Sequence, residues 1–209
     1  MTTKTFYHIC RKVPWSDMPP LTLGQIIETG QESNPFFKHY ENFTATEPVT
    51  FENGKVEKVP VIHFLENVMN GNINCSELPR VAYYAAKHFA MYARELIWED
   101  IRKTEFPHLP SRKHCLWLIP DLEGLRYWID NLELKKGEFE YKIARVEAQG
   151  KFHSADESLL GHESEPYPQT ALRARKYWSG EMSDSRKVEV LFEGSLKVVG
   201  FVGLSEINK

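Results

Sequence analysis

One stretch, residues 77–104, limits the fold of this chain more than any other. Leu78, Ala82, Ala85, Phe89, Tyr92 and Leu96 recur in it at spacings of three and four. That period predicts one long amphipathic helix with an apolar stripe facing a core. Ser76 stands where a cap would begin it. Pro107 and Pro110 rule out its continuation, because proline lacks an amide hydrogen and clashes with the preceding turn. The stripe reads as packing.

The remaining elements are shorter. Residues 5–10 (TFYHIC) read as a first strand, followed by a loop broken by Pro14, Pro19 and Pro20. Residues 21–29 predict a short helix that Gly30 ends. From 31 to 60 the chain is polar and weakly periodic, which predicts a surface excursion forming part of a substrate lid. Residues 114–119 (HCLWLI) are a continuous apolar run, hence a buried strand. Asp121 caps a helix carrying Leu122, Leu125, Trp128, Ile129 and Leu132. Residues 139–146 alternate as a strand, and 150–170 read as a long polar loop holding His153, Asp156 and His162. A helix over 171–179 stops at Gly180, and two closing strands, 188–192 and 196–202, flank a Gly194–Ser195 turn. Helices and strands mix without a βαβ rhythm, so the fold class is α+β. No GxGxxG follows a strand, and the Rossmann route to a dinucleotide is absent.

Composition bounds the function. At 209 residues the chain suits a single domain, 1–209, with a largely helical insertion over about 31–110. No apolar run approaches the roughly 20 residues of a bilayer span, and no charged-then-apolar signal segment opens the chain. The expectation is a cytoplasmic protein without membrane attachment. Its three cysteines, Cys10, Cys75 and Cys115, are scattered and read as reduced thiols. His108, His114 and Cys115 cluster but lack the paired short spacings of zinc sites, so no metal is expected. Net charge is −3 with no basic block, which argues against a dedicated DNA coat protein. Arg173, Arg175 and Lys176, like Arg112 and Lys113, read as solvated charge.

Three segments carry candidate chemistry. In VEVLFEG, residues 188–194, strand alternation puts Val188, Val190 and Phe192 on one face and Glu189, Leu191 and Glu193 on the other. The two carboxylates are about 13 Å apart along an extended strand, so at most one can touch a reacting atom. In FYHICR, His8 shares the apolar face of Phe6 and Cys10, either as a satisfied core histidine or as a donor to a ligand hydroxyl. In FPHLPSRKHCLWL, Ser111 and Arg112 stand at a strand entry, where Arg112 can clamp a phosphate or pair with Glu105 or Asp121.

An early strand with Tyr7–His8, a middle strand followed by a capped helix, and a late strand with a glutamate resemble the ADP-ribosyltransferase superfamily. KVEVLFEGSLKVVGF is similar to the catalytic-glutamate strand and its partner in bacterial members, including DarT-like toxins. FYHICR with LTLGQII resembles their nicotinamide-ribose strand and cofactor loop. RELIWEDIRKTEFPHLPSRKHCLWL resembles a bacterial and phage family of the same superfamily. The likeness spans the chain except residues 31–78.

The resemblance implies a split antiparallel sheet and an NAD co-substrate. It makes Glu189 the catalytic carboxylate and Tyr7–His8 a nicotinamide-ribose contact. Gly24 and Gln25 line the cofactor loop, and Ser111 and Arg112 lie near the phosphates or nicotinamide. The implied reaction breaks the nicotinamide–ribose bond and passes ADP-ribose to a macromolecular acceptor, protein or nucleic acid, as in a toxin-like bacterial or phage effector. A carboxylate beside the ribose stabilises the positive charge that cleavage builds there. Three departures leave the acceptor open: Lys187 stands where arginine-modifying relatives carry Glu or Gln, their Ser-Thr-Ser is missing, and Trp117 replaces a tyrosine. Two alternatives keep the fold: a non-catalytic nucleotide- or partner-binding protein, and an NAD glycohydrolase or RNA 2′-phosphotransferase-like enzyme.

Overall fold

Two long strands, β6 (Tyr141–Asp156) and β7 (Val188–Phe201), form the spine of the molecule and pair antiparallel along their length. The computed structural model describes residues 4–12, 20–42, 45–50, 54–134, 140–161 and 165–207. Pro14, Pro19, Phe139 and His162 lie outside them. β6 includes residues 150–156, which the polar composition assigned to a loop. Likewise, β7 runs straight through Gly194 and Ser195, where a turn was expected. The two glycines have a different use. Gly150 lies opposite Gly194, and a Cβ on either would collide with the other strand's backbone, so the pair permits a close approach that no larger residue allows.

Around this spine, β1 (Lys4–Arg11) pairs with the first half of β6, with His8 opposite Ala144. β2 (Ile26–Glu28) pairs with the far half of β7, and β5 (Leu116–Leu118) with its near half, Trp117 opposite Leu191. β5 also reaches β1: Tyr7 and Ile119 exchange both backbone hydrogen bonds, at 2.9 and 2.8 Å. Pairing therefore closes in a ring, β1–β6–β7–β5. Alternation then sorts the side chains. Phe6, Leu118, Val146, Val190, Phe192 and Val198 share the inner face of the ring.

Helices cover the outside. α3 (Leu78–Glu105) and α5 (Tyr167–Ser179) enclose Cys115, Ala155 and Leu191 with Trp98, Ile101, Tyr177 and Trp178. α4 (Leu122–Asn131) and α6 (Leu204–Ile207) enclose Ile119 and Ile143. Asp121 caps α4 as expected, its side chain accepting from the Gly124 amide at 2.8 Å. Gly180 ends α5 in the left-handed conformation, φ 79°.

Between β2 and α3 lie α1 (Pro35–Asn42), a hairpin of β3 (Thr46–Thr50) and β4 (Val56–Pro60), and α2 (Val61–Met69). Region 31–110 is largely helical, as expected, but it also contains a hairpin, and α3 packs into the main core. The helix expected over 21–29 is a turn followed by β2, because Gly24 and Gln25 bond through their backbone to Val198 of β7. α3 has the expected length but a rotated phase. Phe89 and Leu96 are about half exposed, whereas Val81, Ala85, Glu95, Trp98, Glu99, Ile101 and Arg102 are buried. Pro79 in its first turn sets its start, and no side chain, Ser76 included, caps it.

Candidate functional site

The buried half of α3 brings charge inward. Glu95 and Glu99, one turn apart, face the chain that leaves α3 at Pro107 and Pro110 and re-enters the sheet through β5. Asn34 pins this crossing by donating to the carbonyls of Arg112 (2.7 Å) and Cys115 (3.0 Å). Glu99 accepts from the Arg112 amide and the Ser111 hydroxyl, each at 2.7 Å, and also from Arg102. The Ser111 amide in turn donates to Glu193 at 2.7 Å.

Arg112 is the centre of the arrangement, 3% exposed. Its Nε and Nη2 donate to the two oxygens of Glu95, at 2.7 and 3.2 Å. Its Nη1 donates to Tyr177 Oη and Glu189 Oε1, both at 2.6 Å, and Tyr177 Oη donates to the same Oε1 at 2.5 Å. The guanidinium also lies over the rings of Trp117 and Tyr177, 5.6 and 5.3 Å from their centroids. Arg94 donates to Glu95 as well. Arg94, Glu95, Arg112 and Glu189 thus alternate in one run of ion pairs under α3 and α5, and the separate pair Arg102–Glu99 joins it through the Arg112 amide. A partner for each guanidinium is required, because an unpaired charge so far from water is prohibitively costly.

The titrations follow from this packing. Burial alone would lower the Arg112 pKa, but Glu95, Tyr177 and Glu189 raise it well above the ordinary value. Burial pushes Glu95 up, and Arg112 and Arg94 outweigh it, leaving it below the usual carboxylate range. Burial drives Tyr177 well above an ordinary phenol, so it is a neutral donor to Glu189. His8 is half-buried with Nδ1 donating to the Trp117 carbonyl at 2.9 Å, and burial lowers its pKa.

Ser111, Arg112 and Glu189 do come together, although 77 positions separate the last two. The other expected contacts do not join them. His8 shares the inner face of Phe6 and Cys10, whereas Glu189 shares the outer face of Leu191, so the two residues look to opposite sides of the ring. Tyr7 faces the α4 side. Gly24 and Gln25 lie beside Val198, nine residues along β7 from Glu189, about 30 Å of extended chain. Arg112 as a phosphate clamp is corrected as well: its side-chain nitrogens all have protein partners, and they are neither Glu105 nor Asp121 but Glu95 and Glu189.

Sequence reasoning missed Glu95, Glu99, Arg102 and Tyr177. A signal existed for the first three. Positions 81, 85, 88, 92, 95, 99 and 102 step by four and three, so the stripe that begins at Val81 and Ala85 arrives at these charges. Among the described residues, no three His, Cys, Asp or Glu side chains converge as a metal site.

Fold and site together define an α+β domain whose central strand carries a glutamate into a buried ionic core. A family model described as "Protein of unknown function (DUF2441)" matches residues 6–209, and the chain belongs to this family. No curated protein matches it.

Proposed function

We propose that this protein is an NAD-dependent ADP-ribosyltransferase with an ADP-ribosyltransferase-like fold, acting on a macromolecular acceptor, protein or nucleic acid, with Glu189 as its working carboxylate. One observation carries the reading. The three segments whose order resembles that superfamily are distant in sequence yet adjacent in the ring: β5 touches β1 at Tyr7–Ile119 and pairs with β7 beside Glu189. Glu189 itself is half engaged. Oε1 holds both hydrogen bonds, and Oε2 has none among the described residues. A carboxylate fixed by one oxygen and open at the other suits a group that stabilises developing positive charge.

The remaining contacts do not fit a bound NAD. His8 and Glu189 share no face, and the Arg112 guanidinium is enclosed by protein partners.

A second reading, a non-catalytic nucleotide- or partner-binding protein, is favoured by the enclosure of Glu189, which is 5% exposed and faces a cation. Thermal shift with NAD, followed by an assay for free nicotinamide, separates the two. Stabilisation with nicotinamide release supports transfer or hydrolysis, and stabilisation without release supports binding alone. If neither occurs, both NAD readings fall.

A further inference from the structure

We infer that Arg112 and Tyr177 form a detachable clasp that holds Glu189 closed and neutralised, and that Glu189 works only when released from it. The inference rests on the reading of Glu189 as the working carboxylate, and it accounts for the conflict between that reading and the enclosure. The two carboxylates around Arg112 are held unequally. Glu95 grips the guanidinium through both oxygens and is itself paired with Arg94. Glu189 is attached through Oε1 alone, to Nη1 and the tyrosine hydroxyl.

The consequences of breaking the two pairs differ. If Glu95 left, Arg112 and Arg94 would both lose a buried carboxylate. If Glu189 swings out, Arg112 keeps Glu95, and Nη1 keeps Tyr177 Oη at 2.6 Å. No guanidinium is then left without a carboxylate partner, which is the arrangement that makes opening a buried pair costly. The departing carboxylate regains water or meets a ligand. Glu189 is also the second residue of β7, so its side chain can move at the strand's end without breaking the ladder beyond it.

Tyr177→Phe tests the clasp. It deletes one of two bonds to Oε1, removes the Nη1 acceptor from the closed and open states alike, and retains the ring that packs on Trp98, His153 and Trp178. The first readout is independent of NAD: coupling of a labelled amine to carboxylates by carbodiimide, mapped by peptide mass. Coupling at Glu189 is expected to rise roughly tenfold or more, the worth of one hydrogen bond to a charged group. Coupling at Glu95 stays at its wild-type level. The second readout, nicotinamide release from NAD, is expected to rise with it. Arg112→Lys, which keeps a charge opposite Glu95 but loses the forked reach, serves as a second variant with the same expected direction. Unchanged coupling at Glu189 in both variants overturns the clasp, and so does faster coupling with slower release, which would make Tyr177 a positioning residue. Faster coupling with no nicotinamide from either variant or the wild type leaves the clasp standing as a conformational device and removes the transferase reading.

Discussion

At the scale of single residues, Arg112 determines most of what the site can do. Its guanidinium serves two buried carboxylates and a phenol, so its loss leaves Glu189 without a cation and Glu95 with Arg94 alone. Arg112→Ala is therefore expected to lower the free energy of unfolding by about 3–5 kcal/mol, the usual cost of removing one partner from a buried pair. Denaturant titration checks this, with Arg175→Ala as the comparison. Arg175 pairs with Glu105 on the surface, and its removal should leave the midpoint nearly unchanged. An equally mild effect at Arg112 would mean that water reaches the network. Glu189→Gln should also destabilise, but less, because Arg112 retains Glu95. Glu193→Gln leaves every arginine paired and should melt close to wild type. Of these residues, Arg112 and Glu189 stood out in the sequence through their strand context, but their mutual contact did not. Nothing in a linear sequence tells an arginine that meets a phosphate from one that meets a glutamate on another strand.

At the scale of elements, the end of β6 is tied to the chain entering β7 by Asp156. Burial pushes this carboxyl up, yet bonds from the amides and hydroxyls of Ser158 and Ser183 hold it down to about 2. A depressed carboxyl stabilises the fold above its unfolded pKa, near 4, and that stabilisation is lost as pH falls through the folded value. The shift corresponds to roughly 2 kcal/mol at neutral pH. Asp156→Asn should thus be less stable than wild type at pH 7, with the gap closing between about pH 4 and 2 in urea titrations. A gap that persists at pH 2 would show that the bonds do not depend on the charge.

Helix ends were legible at this scale, since Asp121 and Gly180 act through chemistry local to the sequence. The phase of α3 was not. Hydropathy places Phe89 and Leu96 inside and the glutamates outside, and only the arrival of Arg112 from another segment reverses that order. β2 was misread for a related reason. Residues 26–28 are held as a strand by β7, a partner some 170 positions away. The polar start of the 150–156 stretch likewise hid the far half of β6, which exists because β7 pairs with it.

At the scale of the whole molecule, packing around the closed ring takes two histidines partly or wholly out of water, His8 half-buried and His153 buried. Burial lowers the pKa of His8, and of His153, whose Nε2 donates to the Tyr177 carbonyl at 3.0 Å. The unfolded chain binds protons at these sites more readily than the folded one, so stability rises with pH through the window. It should be level above about pH 7 and decline as pH falls below the unfolded value near 6.5. Denaturant midpoints between pH 7.5 and 5 check the sign; a midpoint that increases toward pH 5 would contradict it. No helix among the described residues is long and apolar enough to cross a membrane. The α+β class was readable from the order of elements, but the closure of the ring through Tyr7 and Ile119 was not, since it depends on one bridge between short segments.

The transferase reading is tested most directly by free nicotinamide. Purified protein is incubated with NAD, with and without cell lysate as a source of acceptor, beside Glu189→Gln held below its own melting temperature. Release by the wild type, with a loss of about 10²–10³ in rate for Glu189→Gln, is the predicted result. No release from the wild type under either condition, or equal release from both proteins, would contradict it.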